Sequence, residues 1–496
     1  MGTSVVGAGR RSLDPRTPVL VGLASATGDV EATELMARAV ERAADDAGRP
    51  ELLAMVDRIA VPQGTWSYPD PGRLVADRVG AEGTRTHLVE LGIPQQALIT
   101  DALAAISSGR SEVAVVVGGE AKRWARDAAR SGRDAVETEQ SGAVPDVVHR
   151  RPGPLLEPVE VAHRLWDPVQ QYAMIENALR AAEGRSLAEH RTEVAALWAR
   201  CNQVAQANPL AAFPAPMDAL EIATPSPSNR PLAFPYNKWH STQWTVDQAA
   251  ALLLCSAETA SRLGVPSDRW VFPLVGLESG HALSLLRRRE PHAWPAMTVL
   301  GRAASERIGR PLAEAEVIEL YSCFPAAVRV QQRSLGLDPS STPTVTGGMA
   351  FAGGPFNNFV LQAMVAVLGA LRADPGTLGV VTTVSGLLTK PGIGVWSALP
   401  DGRPPLLADL GGSAAAATGT VEVVETLDGY DGDATVATYT VTFEGMDPVR
   451  TVAVCDTADG RRAVAVSEDA GLAAEAVQRE LVGARVHIGA GSLELR

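Results

Sequence analysis

The stretch TVTGGMAFAGGPFNNFVLQAM, residues 344–364, places four glycines and a proline directly before an apolar run with helical spacing. Glycine loses more conformational freedom on folding than any other residue, so clusters of it persist where the chain bends tightly or lies against another surface. One interpretation is a loop that brings bare backbone amides close to a ligand. The other is a tight connection from a strand to a helix, without a ligand. A P-loop is excluded, because no Lys-Ser/Thr pair follows the glycines.

The composition is that of a folded globular protein with room for about three domains. Of the 496 residues, 46% are hydrophobic and 20% are charged. The formal net charge of −13 argues against nucleic acid and against anionic membranes as general partners, although a local patch suffices for an anionic ligand. No stretch approaches the ~18 apolar residues of a membrane span, and residues 1–22 hold no signal-peptide run, so we expect a cytoplasmic protein.

The cysteines and histidines show no metal-binding spacing. The cysteines are scattered along the chain without a CxxC pair: Cys201, Cys255, Cys323 and Cys455. We therefore expect neither a zinc site nor a disulfide framework, and we assign no metal ligand.

Alternating strand-like and helix-like segments predict an α/β protein. PVLVGLAS (18–25) is a short apolar run, residues 31–47 have helical spacing, and VAVVVGG (113–119) is a second strand-like run. The pattern stops in an Arg-rich, Pro-punctuated region and then returns as far as GIGVWSAL (392–399), which indicates two α/β halves. Residues 420–496 hold short alternating strands separated by turns, as in a small β-barrel or OB-like domain.

These changes of pattern divide the chain into four regions. They are an N-terminal half (1–121 and 241–270), a loop and helical insertion (122–240), a C-terminal half (271–405) and a β domain (410–496). GGSAAAATG (411–419) has the composition of a flexible linker at the start of the β domain.

Four segments resemble the catalytic loops of thiolases. VIELYSCFPAAV (317–328) resembles the IELHDCF stretch of sterol-carrier-type thiolases, and TGGMAFAGGPFNN (346–358) resembles their GGxxxxGHPxGATG loop. TTVSG (382–386) stands in the place of their CxG loop, and residues 96–121 resemble the nucleophile helix with its following strand. The resemblance covers about residues 15–400 in the right order. It identifies a thiolase-like protein, similar to acetyl-CoA acetyltransferases, with an extra C-terminal domain.

The resemblance implies a five-layered αβαβα fold of two duplicated halves, which binds the acyl chain and pantetheine of coenzyme A between four loops. It also implies three catalytic side chains that this chain lacks. The nucleophilic cysteine would fall near Gly92, the histidine of GHP is Gly354, and the second cysteine corresponds to Val384. Since a thiolate is what takes up the acyl group, we expect no ping-pong reaction through an acyl-enzyme.

Tyr321 stands where sterol-carrier-type thiolases have His and other thiolases have Asn, a position that polarises the thioester oxygen. A phenol can donate the same hydrogen bond, and it can act as general acid or base if its pKa is lowered from about 10. Tyr321 also resembles the tyrosine of steroid side-chain retro-aldolases, which lack the same cysteines and work with a separate OB-like partner. The alternative is a packed tyrosine on a loop.

Ser385 and Gly386 fall in the loop whose backbone amides build an oxyanion hole in the relatives. We therefore predict Tyr321, Ser385 and Gly386 as catalytic residues. Further residues are predicted to line the substrate pocket: Gln95, Gln96, His240, Cys323, Phe324, Gly353, Gly354, Asn357, Asn358 and Lys390.

Several of these pocket residues have an ordinary alternative role. Cys323 is either a displaced nucleophile or a structural thiol. Asn357 and Asn358 either bind a thioester oxygen or cap the helix that follows. Lys390 meets either a coenzyme A phosphate or solvent. His240 is either a pocket residue or a satisfied core histidine.

The sequence therefore predicts a thiolase-superfamily enzyme of lipid metabolism that acts on an acyl thioester of coenzyme A or of a carrier protein. It would work as an acyltransferase or in C–C bond formation or cleavage, without a cysteine acyl-enzyme and without a permanently bound cofactor. The alternatives are a retro-aldol lyase on a β-hydroxyacyl-CoA that uses Tyr321, and a non-catalytic acyl-CoA-binding protein. Thiolases usually dimerise, so a homodimer is one alternative for the oligomeric state. In the other, the added domain covers the surface that thiolases use to dimerise.

Overall fold

The computed structural model describes residues 13–420, 424–489 and 491–496. The first twelve residues of the predicted N-terminal half lie outside the described residues, as do residues 421–423 and 490 of the predicted β domain. The strand expected at 420–427 therefore falls partly outside them.

The strands alternate with helices along most of the described chain. In chain order they are β1 (Pro18–Thr27), β2 (Arg58–Pro62), β3 (Arg85–Val89), β4 (Val113–Ala121), β5 (Val147–His149), β6 (Pro231–Ala233), β7 (Tyr236–Asn237), β8 (Asp247–Ser256), β9 (Phe272–Glu278), β10 (Val317–Glu319), β11 (Leu378–Ser385), β12 (Lys390–Ser397), β13 (Leu406–Asp409), β14 (Gly432–Glu444), β15 (Asp447–Thr457), β16 (Arg462–Ser467), β17 (Arg485–Gly489) and β18 (Ser492–Leu495).

The helices, in the same order, are α1 (Ala32–Asp46), α2 (Pro71–Val79), α3 (Gln95–Ser107), α4 (Lys122–Arg130), α5 (Pro158–Ala162), α6 (Pro168–Ala182), α7 (Leu187–Ala207), α8 (Ala219–Ala223), α9 (Ala257–Arg262), α10 (Pro295–Ile308), α11 (Pro325–Leu335), α12 (Phe359–Ala373), α13 (Gly411–Thr420) and α14 (Ala470–Ala476). Within the described ranges, none of these helices has the length and apolar character needed to cross a membrane.

Two mixed sheets form the centre of the molecule. The first has the strand order β1-β8-β4-β2-β3-β5 and the second β10-β11-β12-β9-β13. Strands β4 and β8 are buried at every residue, as expected of a sheet that is covered on both faces.

Helices α3 and α12 contact strands of both sheets and therefore lie between them. Helices α1 and α2 cover the outer face of the first sheet, and α10 covers the outer face of the second. The result is the layer order αβαβα, which confirms the fold predicted from the sequence. Loops at the ends of strands β10 and β11 and at the starts of α3 and α12 meet in the middle of this arrangement.

The C-terminal strands form a closed barrel. Strands β14 to β18 pair in the order β15-β16-β18-β17-β14, and β14 also pairs with β15, which closes the ring. A small β-barrel is therefore confirmed. Residues 411–419, which have the composition of a linker, instead belong to helix α13, and this helix packs against α10 of the second half. The expectation of a flexible linker was wrong at that point, because α10 offers this alanine-rich segment a surface on which to fold.

The region between β4 and β8 contacts both the sheets and the barrel. Strand β5 extends the first sheet by pairing with β3, and β6 pairs with β14 of the barrel. Helix α6 packs against β14 and α11. This region therefore supplies side chains to the centre of the molecule.

Candidate active site

Three of the four loops identified from the sequence are joined by one glutamine side chain. Gln95 is the first residue of α3, and its Nε2 donates a hydrogen bond to Asn357 Oδ1 at 3.0 Å. The same amide lies close enough to the phenol of Tyr321 to lower its pKa. Asn357, in turn, donates from Nδ2 to the carbonyl of Gln63 at 2.9 Å. Gln95, Tyr321 and Asn357 thus come together although they are far apart in the sequence.

Tyr321 is held from both sides of its loop. Its backbone N–H donates to Thr382 Oγ1 at 2.9 Å, and its carbonyl accepts from Gln331 Nε2 at 2.9 Å. Its ring meets Phe359 edge-on, with 6.0 Å between the ring centres. These contacts fix the position of the phenol hydroxyl.

Burial raises the pKa of Tyr321 well above its usual value, and the nearby Cys323 adds to the effect, while the amide of Gln95 acts in the opposite direction. The phenol is therefore protonated at neutral pH and acts as a hydrogen-bond donor. A general base would need the pKa to move the other way. The structure thus favours an acid role for Tyr321 over the base role that the sequence left open.

The place of the missing nucleophile is filled by a side chain from the inserted region. Gly92 has a φ of 98°, and a Cβ atom at this position would lie 2.5 Å from Cδ2 of Leu155. Lys390 donates from Nζ to the carbonyl of Gly92 at 2.8 Å. A cysteine at position 92 would therefore clash with Leu155 and strain the backbone.

Lys390 is buried, and burial together with the neighbouring Arg151 lowers its pKa. Its ammonium group is bonded to a protein carbonyl in this structure, so the solvated alternative is wrong. Its predicted contact with a coenzyme A phosphate stays a prediction.

The turn between β11 and β12 has an unusual backbone. Three consecutive residues, Gly386, Leu387 and Leu388, have positive φ angles of 61°, 59° and 61°. For residues other than glycine this conformation costs about 1–2 kcal/mol each. Arg288 holds the turn by donating from Nη2 to the carbonyl of Leu387 at 3.2 Å. Because strained backbone persists mainly where surrounding contacts enforce it, and clusters at functional sites, this turn supports the prediction that Ser385 and Gly386 belong to the site.

A cavity of about 170 Å³ opens beside this turn. Its lining includes Gly386 and Lys390, together with Glu160 and Gln171 of the inserted region. It thus borders the loop of the predicted oxyanion hole.

Cys323 and Phe324 lie directly beside Tyr321, against a tyrosine of α6. Tyr172 stacks on Phe324 with 4.6 Å between the ring centres, and its hydroxyl lies near enough to Cys323 to lower the pKa of the thiol slightly against the effect of burial. Burial raises the pKa of Cys323 to about 12. The thiol is therefore protonated at neutral pH, which favours the structural role of Cys323 over that of a displaced nucleophile.

The glycines of the 344–364 stretch pack closely against other parts of the protein. A Cβ atom at Gly353, whose φ is 97°, would lie 2.6 Å from Oε1 of Gln248. A Cβ atom at Gly354 would lie 2.3 Å from Cγ2 of Thr242. These glycines therefore serve a tight strand-to-helix connection, and their part in a thioester pocket stays a prediction.

Two buried amides near these loops have unused polar atoms. Asn358 makes no side-chain capping bond to α12, and its Oδ1 and Nδ2 have no partner within the described part of the chain. Gln96 donates from Nε2 to Thr100 at 3.2 Å, while its Oε1 is without a partner among the described residues. Both side chains are buried, and Asn358 does not have the capping role that was its alternative.

His240 lies further back, inside the inserted region. Its Nδ1 accepts a hydrogen bond from the backbone N–H of Asn237 at 3.1 Å. Burial lowers the pKa of His240 to about 4, so the ring is neutral. Tyr236 lies between it and Phe324, with 5.9 Å and 5.7 Å between the ring centres. The geometry matches a core histidine with a hydrogen-bond partner inside the protein. The ring of Tyr236 separates it from Phe324.

The structure also brings together three potential metal ligands that sequence spacing does not reveal: His87, Asp101 and His149. His87 Nδ1 lies 3.2 Å from His149 Nε2. Arg58, however, is ion-paired with Asp101 and places Nη2 3.2 Å from His87 Nδ1. The cluster thus already contains a cation.

The comparisons with known proteins agree with the fold. A family model described as the thiolase-like protein type 1 additional C-terminal domain matches residues 414–491. The structure of a monomeric SCP2-thiolase-like protein type 1 from Mycobacterium smegmatis aligns over 98% of this chain and 100% of its own, with 26% identity and a TM-score of 0.82. The chain belongs to the thiolase superfamily.

Other known proteins are similar to smaller parts of this chain. Acetyl-CoA acetyltransferase 1 of Arabidopsis thaliana is 29% identical over 140 residues, which is 28% of this chain and 31% of that relative. The chain thus spans about a third of the length of this curated relative. The Ltp2-ChsH2(DUF35) aldolase aligns over 77% of this chain and 98% of its own, at 17% identity and a TM-score of 0.57. An acetyl-CoA acetyltransferase from Syntrophomonas wolfei aligns over 78% of this chain and 100% of its own, at 18% identity and a TM-score of 0.55.

Sequence reasoning missed the contribution of the inserted region to this candidate site. Leu155, Glu160 and Tyr172 all come from it. The Glu-Pro pair at 157–158 signals a helix start, which would have located α5. Nothing in the sequence indicated that this helix lies beside the turn after β11.

Proposed function

We propose that this protein binds an acyl thioester of coenzyme A or of a carrier protein between the four loops and reacts at or next to the thioester without an acyl-enzyme. The observation that carries the proposal is the junction of Tyr321, Gln95 and Asn357 beside a filled nucleophile position. The thioester is the substrate, and the proposed chemistry calls for no resident cofactor.

Tyr321 supplies the electrophilic part of this chemistry. A protonated phenol in a buried site donates to the thioester oxygen, which gains negative charge when a bond forms or breaks next to it. The backbone around Ser385 and Gly386 adds further donors in the proposed arrangement. Donors fixed in advance are worth more in a buried site than in water, because they need not reorganise during the reaction.

The names of the relatives support the choice of substrate. Two of them are acetyl-CoA acetyltransferases. The shared segment covers less than a third of the first, and the second shares the fold alone, so an acyl-CoA substrate for this chain rests on the proposal and on the loops.

A retro-aldol lyase on a β-hydroxyacyl thioester is the second candidate. Cleavage of the Cα–Cβ bond needs no acyl acceptor, which fits a site whose nucleophile position is filled by Leu155. One structural neighbour is named an aldolase, although it shares only the fold at its level of identity.

The proposal is tested by incubating the protein with a series of acyl-CoAs and β-hydroxyacyl-CoAs, followed by chromatography of the products and intact-protein mass spectrometry. We expect turnover of at least one thioester with the protein mass unchanged. Tyr321→Phe keeps the ring packing and removes the hydroxyl, so turnover should fall at least about tenfold while affinity changes much less.

Three other outcomes would change the proposal. A stable acyl adduct on the protein would contradict the absence of an acyl-enzyme. Unchanged turnover in Tyr321→Phe would reduce Tyr321 to a packing residue. Binding without turnover of any thioester would leave a non-catalytic acyl-CoA-binding protein.

A further inference from the structure

Glu160 is a buried carboxyl group at the edge of the candidate site. It is the third residue of α5, and its Oε2 accepts a hydrogen bond from the backbone N–H of Glu157 at 2.7 Å. This capping contact uses one carboxyl oxygen. Glu160 is 2% exposed and has no direct ion pair within the described part of the chain, a combination that is rare for a glutamate.

The cavity beside the β11–β12 turn connects Glu160 to the proposed thioester site. Its lining includes Glu160 and Gln171 as well as Gly386 and Lys390. Gly386 belongs to the proposed oxyanion loop, and Lys390 is bonded to Gly92. A substrate that reaches Gly386 would therefore extend into a space that Glu160 borders.

The groups around Glu160 have opposing effects on the pKa of its carboxyl group. Burial raises the pKa of Glu160 to about 7, and the carboxylate of Glu157 adds to this effect. The backbone hydrogen bond, the charge of Arg288 and the amide of Gln171 act in the opposite direction. Proton transfer is most efficient when the pKa of the catalytic group lies near the working pH.

Other buried carboxyl groups with a raised pKa are engaged differently. Glu319 accepts four hydrogen bonds, from the side chain and backbone of residues 344–346. Glu120 accepts bonds from both the backbone and the hydroxyl of Thr65. Each of these two has a structural role that occupies both of its oxygens.

We propose that Glu160 is the general base that removes a proton from the carbon next to the thioester. This inference rests on the proposed function. It assigns the role of the base, which Tyr321 cannot take because its phenol is protonated. The C–H bond breaks, its electron pair moves into the C=C bond of an enolate, and the thioester oxygen gains negative charge opposite the Tyr321 hydroxyl. The proton resides on Glu160 and returns to the same carbon or is exchanged with solvent, so no further reactant is needed.

Deuterium exchange tests this step without knowledge of the second substrate. The full-length protein is incubated with acetyl-CoA and with longer acyl-CoAs in D₂O, and deuterium at the α-carbon is followed by mass spectrometry. We expect exchange well above the rate without protein. Glu160→Gln keeps an acceptor for the Glu157 N–H and removes the base, so exchange should fall at least about a hundredfold.

Glu120→Gln is the matched control, because it neutralises a second buried carboxyl group whose pKa is also raised to about 7. We expect this variant to exchange at the wild-type rate. Thermal unfolding and calorimetric titration with the acyl-CoA show whether each variant is folded and binds.

The outcomes separate this inference from the proposed function. Acyl-CoA binding with wild-type exchange in Glu160→Gln, or binding without exchange in the wild-type protein, would overturn the role of Glu160 and leave thioester binding standing. No binding of any acyl-CoA would overturn both.

Discussion

At the level of single side chains, the site is defined by what replaces the usual thiolate. Gly92 leaves no side chain at that position, and Leu155 occupies the space a side chain would need. Tyr321 and Cys323 are both protonated, because burial disfavours their charged forms. The resulting site can donate hydrogen bonds, whereas it holds no thiolate at these positions.

Gly92→Ala tests whether this space is filled. Its φ of 98° alone should cost about 1–2 kcal/mol of unfolding free energy, and the contact with Leu155 should add to that loss. Gly83→Ala is the control, because Gly83 has a φ of 72° with open space around its Cβ position. Chemical denaturation measures both variants.

The additional loss of stability in Gly92→Ala should largely disappear in the double variant with Leu155→Ala. Shortening Leu155 removes the atom that the new Cβ would meet, so the two changes are coupled. Equal losses in Gly92→Ala and Gly83→Ala, with no coupling to Leu155, would mean that the position is not blocked.

At the level of helices and strands, α6, α7 and α11 are joined by a buried ionic network around Glu176. Burial raises the pKa of Glu176, but the charge of Arg329 and hydrogen bonds from His190 and Tyr236 outweigh it and hold the pKa at about 2. Arg329 Nη1 and Tyr236 Oη each lie 2.6 Å from a carboxylate oxygen of Glu176. Tyr236 also accepts the backbone N–H of Ala326 at 3.1 Å, at the start of α11. The network thus positions the helix that follows the Tyr321 loop.

Glu176→Gln should lower the free energy of unfolding by about 3–5 kcal/mol at neutral pH, because it leaves Arg329 buried without its full charge partner. The pKa of Glu176 is depressed in the folded state relative to the ordinary value of 4.5, so its stabilising contribution is present above that value. The contribution should be lost as the pH falls from about 4.5 towards 2. Denaturation of both proteins at a series of pH values measures this difference.

The matched control for this network is Glu189→Gln, which changes an exposed glutamate in the capping box of α7. It should reproduce little of the loss. A stability difference between wild type and Glu176→Gln that does not shrink between pH 5 and about 2.5 would contradict the ionic account.

The sequence was sufficient to predict the two sheets and the meeting of the loops, since the loops lie at the ends of strands and at the starts of helices whose order matches a known superfamily. It also placed Tyr321 inside one of those motifs, and the catalytic role of Tyr321 stays a prediction. It did not predict Leu155 or Glu160, because their positions depend on how a loop-rich region folds back over distant strands. It also treated residues 411–419 as a linker, because the surface of α10 that supports α13 is not visible in local composition.

In the whole molecule, the barrel is attached to the loop that supports the strained turn. Arg462 of the barrel is fully buried and donates to the carbonyls of Arg288 and Arg289. It also pairs with Asp456 at 2.8 Å. Since the side chain of Arg288 holds the carbonyl of Leu387, a continuous chain of hydrogen bonds leads from the barrel to the proposed site.

Arg462→Met should therefore uncouple the barrel from the rest of the molecule, since it removes a buried cation with three partners and should cost about 3–5 kcal/mol. Scanning calorimetry should show one transition for the wild type and a separate, earlier transition in the variant. Arg461→Met is the control, because the side chain of Arg461 is 41% exposed and pairs with Asp459 two residues away. Identical melting of wild type and Arg462→Met would contradict the attachment.

The central claim is that the Tyr321 hydroxyl polarises a thioester oxygen without a covalent bond to the protein. Isotope-edited infrared spectroscopy of a ¹³C=O-labelled acyl-CoA bound to the protein reports this directly, because a hydrogen bond weakens the carbonyl bond and lowers its stretching frequency. The account predicts a lower frequency in the wild-type complex than in water, and a return towards the unpolarised value in Tyr321→Phe. The same carbonyl band in both complexes, or a band typical of an acyl-enzyme, would contradict it.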